Sequence, residues 1–484
     1  MTAAQHIPAR RAAGEAGLVA RLAIALTAWT ERWLPDAFIF ALVFTAVVVM
    51  AAVTATPSTL VQAVDAWGRG FWDLIPFTLQ MALVVITGHV LASSQPMARL
   101  IRAMATWPSS PRAAVAFVAL VAMGSSWLHW GFSLMFSALL AREVARRLDG
   151  VDYRALAAAS YMGMGTIWAQ GLSGSAVLQM ASAGALQPQI SAIVAHDGLV
   201  PGGIIPFRHT IFLWQNMAAV VAEVIIVTVV MWLATPPRGH SRTARDLGVD
   251  LGDRELDADA GNRGGARTPG AWLEHSPLLT WLVGALGVTY LVRYFMQAGE
   301  PLNAINLNTL NLAFLLAGFV LHRTPARLMR AVAAATPAVW GILLQFPFYA
   351  GIAGVVVTTH LNDRIAAAFV DLSTPTTFPA VVAVYSAVLG VLVPSGGSKW
   401  VIEAPYVMAA AHALHVHLGW VVNAYGLGEA LANLVQPFFM LPILGVLGLS
   451  ARDIMGYTFV VCLTLTPVVI ALLLLLGRTL AYPL

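Results

Sequence analysis

The residues with the most chemical potential lie in Ser395-Gly396-Gly397-Ser398-Lys399-Trp400, a polar, glycine-rich patch inside otherwise apolar sequence. Lys399 is the only lysine of the chain. A lysine ammonium changes its protonation readily when desolvated, whereas an arginine guanidinium stays charged. Charged groups at membrane depth are costly and mark substrate or ion paths. A bias toward arginine explains the scarcity of lysine but not the position of this one.

The backbone of the patch is as informative as its side chains. Pro394 ends the preceding helix, two glycines free the chain, and Pro405 suits the first turn of a following helix. Such a segment leaves amides and carbonyls unpaired, which is tolerable at membrane depth only where they face protein or a water-filled cavity. Unpaired amides at a helix start bind anions, and a carboxylate is the obvious small candidate. The serine hydroxyls can hold a carboxylate or ligate sodium, and Lys399 adds a full charge. Glu403 follows four residues later, so a helix there puts the two on one face, as a structural pair or a proton-coupling pair.

A second patch, Gly171-Leu172-Ser173-Gly174-Ser175, follows Trp168 and Gln170 in the first half of the chain. Paired interruptions in corresponding parts of two halves point to a transporter binding site, although small residues also serve ordinary helix–helix contacts. The substrate-binding candidates are therefore Ser173, Gly174, Ser175, Ser395, Gly396, Gly397, Ser398, Lys399 and Trp400. Candidates for coupling to an ion are Glu403, His89, and the set Glu429, Asn433 and Gln436, whose spacings of 4 and 3 put them on one helical face. Other polar groups inside apolar runs are Trp127 to Gly131, Glu223, and Gln345 with Tyr349. The competing role for each is an interhelical hydrogen bond worth about 1 kcal/mol. His412, His415 and His417 resemble a metal cluster that no nearby acid or cysteine completes, so neither a metal nor a cofactor is expected. The phosphate-cradling pattern Gly-x-x-x-x-Gly-Lys-[Ser/Thr] is absent, which argues against ATP drive.

The elements that must position these groups are membrane helices. Hydrophobic residues make up 59% of the 484, charged residues 10%, and the mean hydropathy is +0.76. The chain therefore reads as an all-α polytopic membrane protein, with about 10–12 crossings in two repeats and re-entrant or discontinuous helices. Ten-residue strand-like alternation is absent, which argues against an outer-membrane barrel. Residues 1–34 read as a cytoplasmic amphipathic leader, 35–235 as the first repeat, 236–276 as a flexible polar linker without chemistry, and 277–484 as the second repeat. A single cysteine, Cys462, rules out an intrachain disulfide, and the net charge of +4 comes mainly from loop arginines and implies no nucleic acid. Arginine-rich segments 93–112 and 141–154 flank one apolar run. Both obey the positive-inside rule only if that run breaks at Gly124-Ser125-Ser126 or near Gly131 and returns. Loop 322–330 reads as cytoplasmic and 361–376 as external.

At these same residues the chain resembles the bacterial short-chain fatty acid transporter family. The likeness is carried by Arg32-Trp33-Leu34-Pro35-Asp36, Thr87-Gly88-His89, Trp130-Gly131-Phe132, Ser173-Gly174-Ser175, Gln345-Phe346-Pro347-Phe348-Tyr349, Val393-Pro394-Ser395-Gly396-Gly397 and Arg452-Asp453-Ile454-Met455-Gly456-Tyr457. The resemblance implies uptake of a small carboxylate such as butyrate or acetoacetate, coupled to H+ or Na+. It also implies a multi-pass protein of the bacterial inner membrane, surrounded by lipid bilayer, with a homodimeric scaffold. Lys399 and Glu403 stand where the family pattern has neutral or histidine side chains, so they bear on which anion is bound or on the ion requirement. A sodium-coupled dicarboxylate carrier is the alternative transporter. Gly171-Leu172-Ser173-Gly174 also matches the Gly-x-Ser-Gly pattern of rhomboid intramembrane proteases, whose serine pairs with a histidine. That fold needs far fewer crossings, so no catalytic residue is assigned. Read from sequence, Lys399→Gln lowers carboxylate affinity and leaves the fold intact.

Overall fold

The computed structural model describes residues 37–484, apart from 183–184, 187, 196–198, 201, 238–240, 253–267, 299–303 and 393–394. The expected leader, Val393 and Pro394 lie outside the described residues. Everything regular among the described residues is helical. The first half runs α1 (Ala37–Ala55), α2 (Leu60–Gly70), α3 (Ile75–Ala92), α4 (Gln95–Met104), α5 (Pro111–Leu128), α6 (Trp130–Arg147), α7 (Tyr153–Met162), α8 (Ser175–Met180), α9 (Pro188–Ala195) and α10 (Trp214–Ala234). After the polar linker come α11 (Pro269–His275), α12 (Pro277–Gln297), α13 (Leu307–His322), α14 (Pro325–Ala335), α15 (Trp340–Thr358) and α16 (Leu361–Leu372). The chain ends with α17 (Phe378–Leu392), α18 (Gly396–Ala413), α19 (Leu418–Asn433), α20 (Leu441–Leu447) and α21 (Ala451–Leu476). Among the described residues, α3, α5, α10, α12, α15 and α21 are long and apolar enough to cross a membrane, whereas α13 and α17 are apolar but shorter.

Both halves contain a hairpin followed by a broken helix. In the first, α5 and α6 pack on each other across a break at His129, whose backbone is extended at φ −160° and ψ 108°. The His129 ring caps the new helix, its Nδ1 accepting from the Phe132 amide at 3.2 Å. The run between the two arginine groups therefore breaks and returns, at His129 rather than at the serine pair. The next helix, α7, continues through a widened turn at Gly163–Ile167 and a tight turn at Trp168–Gln170 before restarting as α8. In the second half, α17 and α18 form the hairpin, and α19 breaks after Asn433 and resumes toward α20 at an angle of 73°. In each half the first hairpin arm packs on the broken helix, α5 on α7 and α17 on α19.

Three sequence expectations change. Pro405 does not open a helix but lies inside α18, as membrane helices tolerate when neighbours satisfy the freed carbonyl. The expected loops at 322–330 and 361–376 are largely the helices α14 and α16, with Asp363, Arg364 and Asp371 on an exposed face. The linker is also partly built. Asp152, which caps α7 at the Ala155 amide, also accepts from the Arg242 amide at 3.0 Å. The Arg242 carbonyl accepts from the Tyr153 amide at 2.8 Å, and Arg146 donates through Nε to the Leu251 carbonyl at 3.0 Å. Segment 241–252 is thereby docked onto the ends of α6 and α7.

Candidate substrate-binding site

The four interruptions meet. The Trp130 amide, at the first hairpin tip, donates to Ser173 Oγ at 2.9 Å, and the Leu172 amide donates to the Trp127 carbonyl at 2.7 Å. Gln179 of α8 donates to the Gly397 carbonyl at 3.0 Å, joining the first broken helix to the second hairpin. Tyr161 of α7 donates to the Asn433 carbonyl at 3.0 Å, joining the two broken helices. The Trp130 amide and the Trp127 and Asn433 carbonyls stand at helix ends, where the break leaves backbone groups without a helical partner, so breaks and contacts largely coincide.

Between them lies a cavity of about 40 Å3. At roughly 10–15 Å3 per water-sized occupant it suits a solute of a few heavy atoms. All four interruptions contribute: Trp130 from the first hairpin, Trp168 and Ser175 from the first broken helix, Ser395, Gly396 and Gly397 from the second hairpin, Phe438 and Phe439 from the second break. Met81 of α3, Met164 and the α15 residues Gly341, Ile342, Gln345 and Phe346 complete the wall. Among the described residues, no ionisable side chain lines it.

The polar side chains of this wall include three unpaired donors. Trp130 Nε1, Trp168 Nε1 and Gln345 Nε2 are buried and make no hydrogen bond. Leaving such a group unmade costs about 1–3 kcal/mol, which a ligand acceptor recovers. The first turn of α18 also reaches the cavity, and Ser395 makes no side-chain cap there, so its amides add a partial positive charge. The remaining wall is methionine, phenylalanine and isoleucine. The wall thus combines residues with unpaired donors, which suit an anion, and apolar side chains, which suit a short alkyl chain.

Behind the second hairpin lies an ionic cluster. Lys399, Glu403 and Glu429 are fully buried. Lys399 Nζ is 2.5 Å from Glu429 Oε2 and 3.7 Å from Glu403 Oε1, and donates to the Ser386 carbonyl at 2.5 Å. Both Glu429 oxygens nonetheless lack a directed hydrogen bond. The Lys399–Glu429 contact is therefore a charge contact, and the directed bond of the ammonium goes to Ser386. Glu403 Oε2 accepts from Ser386 Oγ at 2.5 Å, and the Tyr425 ring lies 4.9 Å from Nζ.

Of the expected substrate-binding residues, Ser175, Ser395, Gly396 and Gly397 line the cavity. Ser173 instead caps the first hairpin tip, and Gly174 lies in tight contact with the Ala169 carbonyl, which an added Cβ would approach to 2.4 Å. Ser398 bonds to Ser395, Trp400 packs on the Tyr425 ring at 4.6 Å, and Lys399 belongs to the ionic cluster. Glu403 and Glu429 come together in that cluster. Asn433 ends α19, and Gln436 lies beyond the helix, donating to Asn433 at 2.9 Å and accepting from the Phe438 amide at 2.7 Å. The shared helical face therefore stops at Asn433. His89 is half-buried near the end of α3, away from the cavity wall. His417 caps α19 and His412 bonds to Tyr482, and no metal-binding group occurs among the described residues. Sequence reasoning noticed Trp130 and Gln345 only as polar groups in apolar runs, and Trp168 beside the Gly171–Ser175 patch. Phe438, Phe439 and Met164 carried no signal, because an apolar wall residue looks like any other core residue.

A family model described as Short chain fatty acid transporter matches residues 18–476. A relative in Escherichia coli (strain K12) is 39% identical over 91% of this chain and 96% of its own. One in Haemophilus influenzae (strain ATCC 51907 / DSM 11121 / KW20 / Rd) is 36% identical over 94% of this chain and 99% of its own. Both are named for short-chain fatty acid transport, not for an enzyme. Among solved structures, the Alcanivorax borkumensis YdaH transporter superposes with a TM-score of 0.57 at 14% identity, covering 92% of this chain and 98% of that one. Neisseria gonorrhoeae MtrF, described with a class of antimetabolite efflux pumps, gives 0.55 at 14% identity, covering 95% and 97%. These two likenesses concern the fold alone.

Proposed function

The chain belongs to the short chain fatty acid transporter family, and from that premise we propose that it moves a monocarboxylate of the butyrate or acetoacetate class by alternating access, driven by a proton or sodium gradient. The observation that carries this reading is the make-up of the cavity wall. Three residues with unpaired buried N–H groups and the uncapped start of α18 line one small cavity, together with methionine, phenylalanine and isoleucine side chains. A carboxylate satisfies the donors without a full positive charge beside it, and a short chain fills the apolar part. A dicarboxylate fits less well, because among the described residues no cation lines the cavity to receive a second charge. The same reading places the protein in the bacterial cytoplasmic membrane as a homodimer, with the exposed apolar length of α12 available to lipid or to a second copy.

The test is reconstitution of the purified full chain into vesicles with labelled butyrate and imposed proton or sodium gradients. Gradient-dependent accumulation is expected. Absence of gradient-dependent uptake for every monocarboxylate from acetate to hexanoate rejects the reading.

A further inference from the structure

We infer that Lys399, Glu403 and Glu429 form a proton-binding site with a built-in cation, in which Lys399 offsets Glu429 and Glu403 takes up one proton per monocarboxylate carried. The inference rests on the transporter reading above and names its coupling ion. Three buried ionisable groups with two acids and one base are neutral only if one acid holds a proton. Geometry selects which. Glu429 Oε2 touches the ammonium at 2.5 Å, whereas the nearest Glu403 oxygen, Oε1, stands 3.7 Å away. Glu429 is the counter-ion, and Glu403 is free to alternate between carboxyl and carboxylate.

The ammonium also fills the place where a mobile metal cation would sit. The Ser386 carbonyl, both glutamates and the Tyr425 ring surround Nζ, and Gly390 packs so closely that an added Cβ would lie 2.9 Å from Glu429 Oε2 and 3.1 Å from Nζ. Oxygen ligands around a broken-helix backbone suit a sodium ion, but here a tethered cation occupies them. The other titratable groups facing the two carboxylates are tyrosines: Tyr385 of α17, Tyr406 of α18, Tyr425 of α19 and Tyr161 of α7. The α16 charges Asp363, Arg364 and Asp371 are exposed, α8 and α9 carry no ionisable residue, and α15 offers only Tyr349. Cys462 of α21 turns to the Leu431 carbonyl.

The cluster is mechanically joined to the cavity. Gly396 lines the cavity, its carbonyl accepts from Tyr425 at 2.6 Å, and an added Cβ there would come within 3.1 Å of Glu429 Cγ. A ligand that moves the first turn of α18 therefore moves Lys399 one turn on and Glu429 beside it. In the cycle, Glu403 gains a proton from the side where substrate enters and loses it to water on the other side. One carboxylate anion and one proton cross together, with no net charge moved.

Two readouts test this on the full chain in lipid. Infrared spectroscopy at neutral pH should show a deuterium-sensitive carbonyl band of a protonated carboxyl that Glu403→Gln reduces and Glu223→Gln does not remove entirely. A spectrum unchanged by Glu403→Gln overturns the proposal, whether or not butyrate is the substrate. In vesicles, a pH gradient should drive initial butyrate accumulation at least fivefold faster than in protein-free vesicles, without sodium and independent of membrane potential. Glu403→Gln should keep butyrate exchange while losing accumulation. Sodium-driven uptake at equal pH, or pH-driven accumulation by Glu403→Gln, overturns the proposal. A protein that shows the band but takes up no monocarboxylate refutes only the substrate reading.

Discussion

Trp168 separates the donor account of the cavity from a merely packed one. Replacing the Trp168 indole with the isosteric benzothiophene of 3-benzothienylalanine keeps the bicyclic ring and deletes Nε1–H. A hydrogen bond to a charged partner contributes about 1.5–3 kcal/mol, so the KM for butyrate should rise roughly tenfold or more in initial-rate uptake. An unchanged KM removes Trp168 from the binding set. Lys399 calls for a different expectation from the one its sequence context suggests. Buried against Glu429, it is not placed to meet the substrate. Removing one partner of a buried ion pair costs about 3–5 kcal/mol. Lys399→Gln should therefore lower the Tm of the purified protein, and adding Glu429→Gln should recover part of the loss. The glycine–serine patches were legible because they interrupt apolar sequence. The meeting of Lys399 with Glu429 was not, since it depends on how α18 packs on α19, which no local pattern encodes.

Among the elements, the two hairpins and two broken helices form the site, and their close backbone contacts set what they tolerate. A Cβ on Gly171 would come within 2.2 Å of the Trp127 carbonyl, at the junction of the first hairpin and the first broken helix. Gly171→Ala should cost about 1–3 kcal/mol or more by overpacking, seen as a lower Tm and lost uptake. Gly124→Ala, where nothing lies within 4 Å, is the matched control and should be tolerated. The sequence paired the two serine–glycine patches as equivalents, but their positions in the fold differ. Ser395 stands at a hairpin tip, and Ser173 at the break of the following helix. The tip that corresponds to Ser395 is His129, which lacks a glycine–serine signature because one extended residue with an imidazole cap suffices to turn the chain.

For the molecule as a whole, composition alone revealed the membrane class, because apolar surface of this extent has no other solvent. Charge and glycine content gave no sign of the contacts in the linker's segment 241–252, whose backbone Arg142, Arg146 and Asp152 bind. Arg146→Ala should release segment 241–252 and increase tryptic cleavage after Arg242 and Arg245 in the folded protein, with uptake retained. The central claim is that the cavity where the four interruptions meet holds the monocarboxylate. Gly397 faces Ser175 and Phe346 across it, with room for a Cβ at 3.4 Å from each. The most direct measurement is butyrate counterflow in vesicles containing Gly397→Val, checked for wild-type Tm and reconstitution. Loss of counterflow in the folded variant is the predicted result, and counterflow at the wild-type rate would contradict the account.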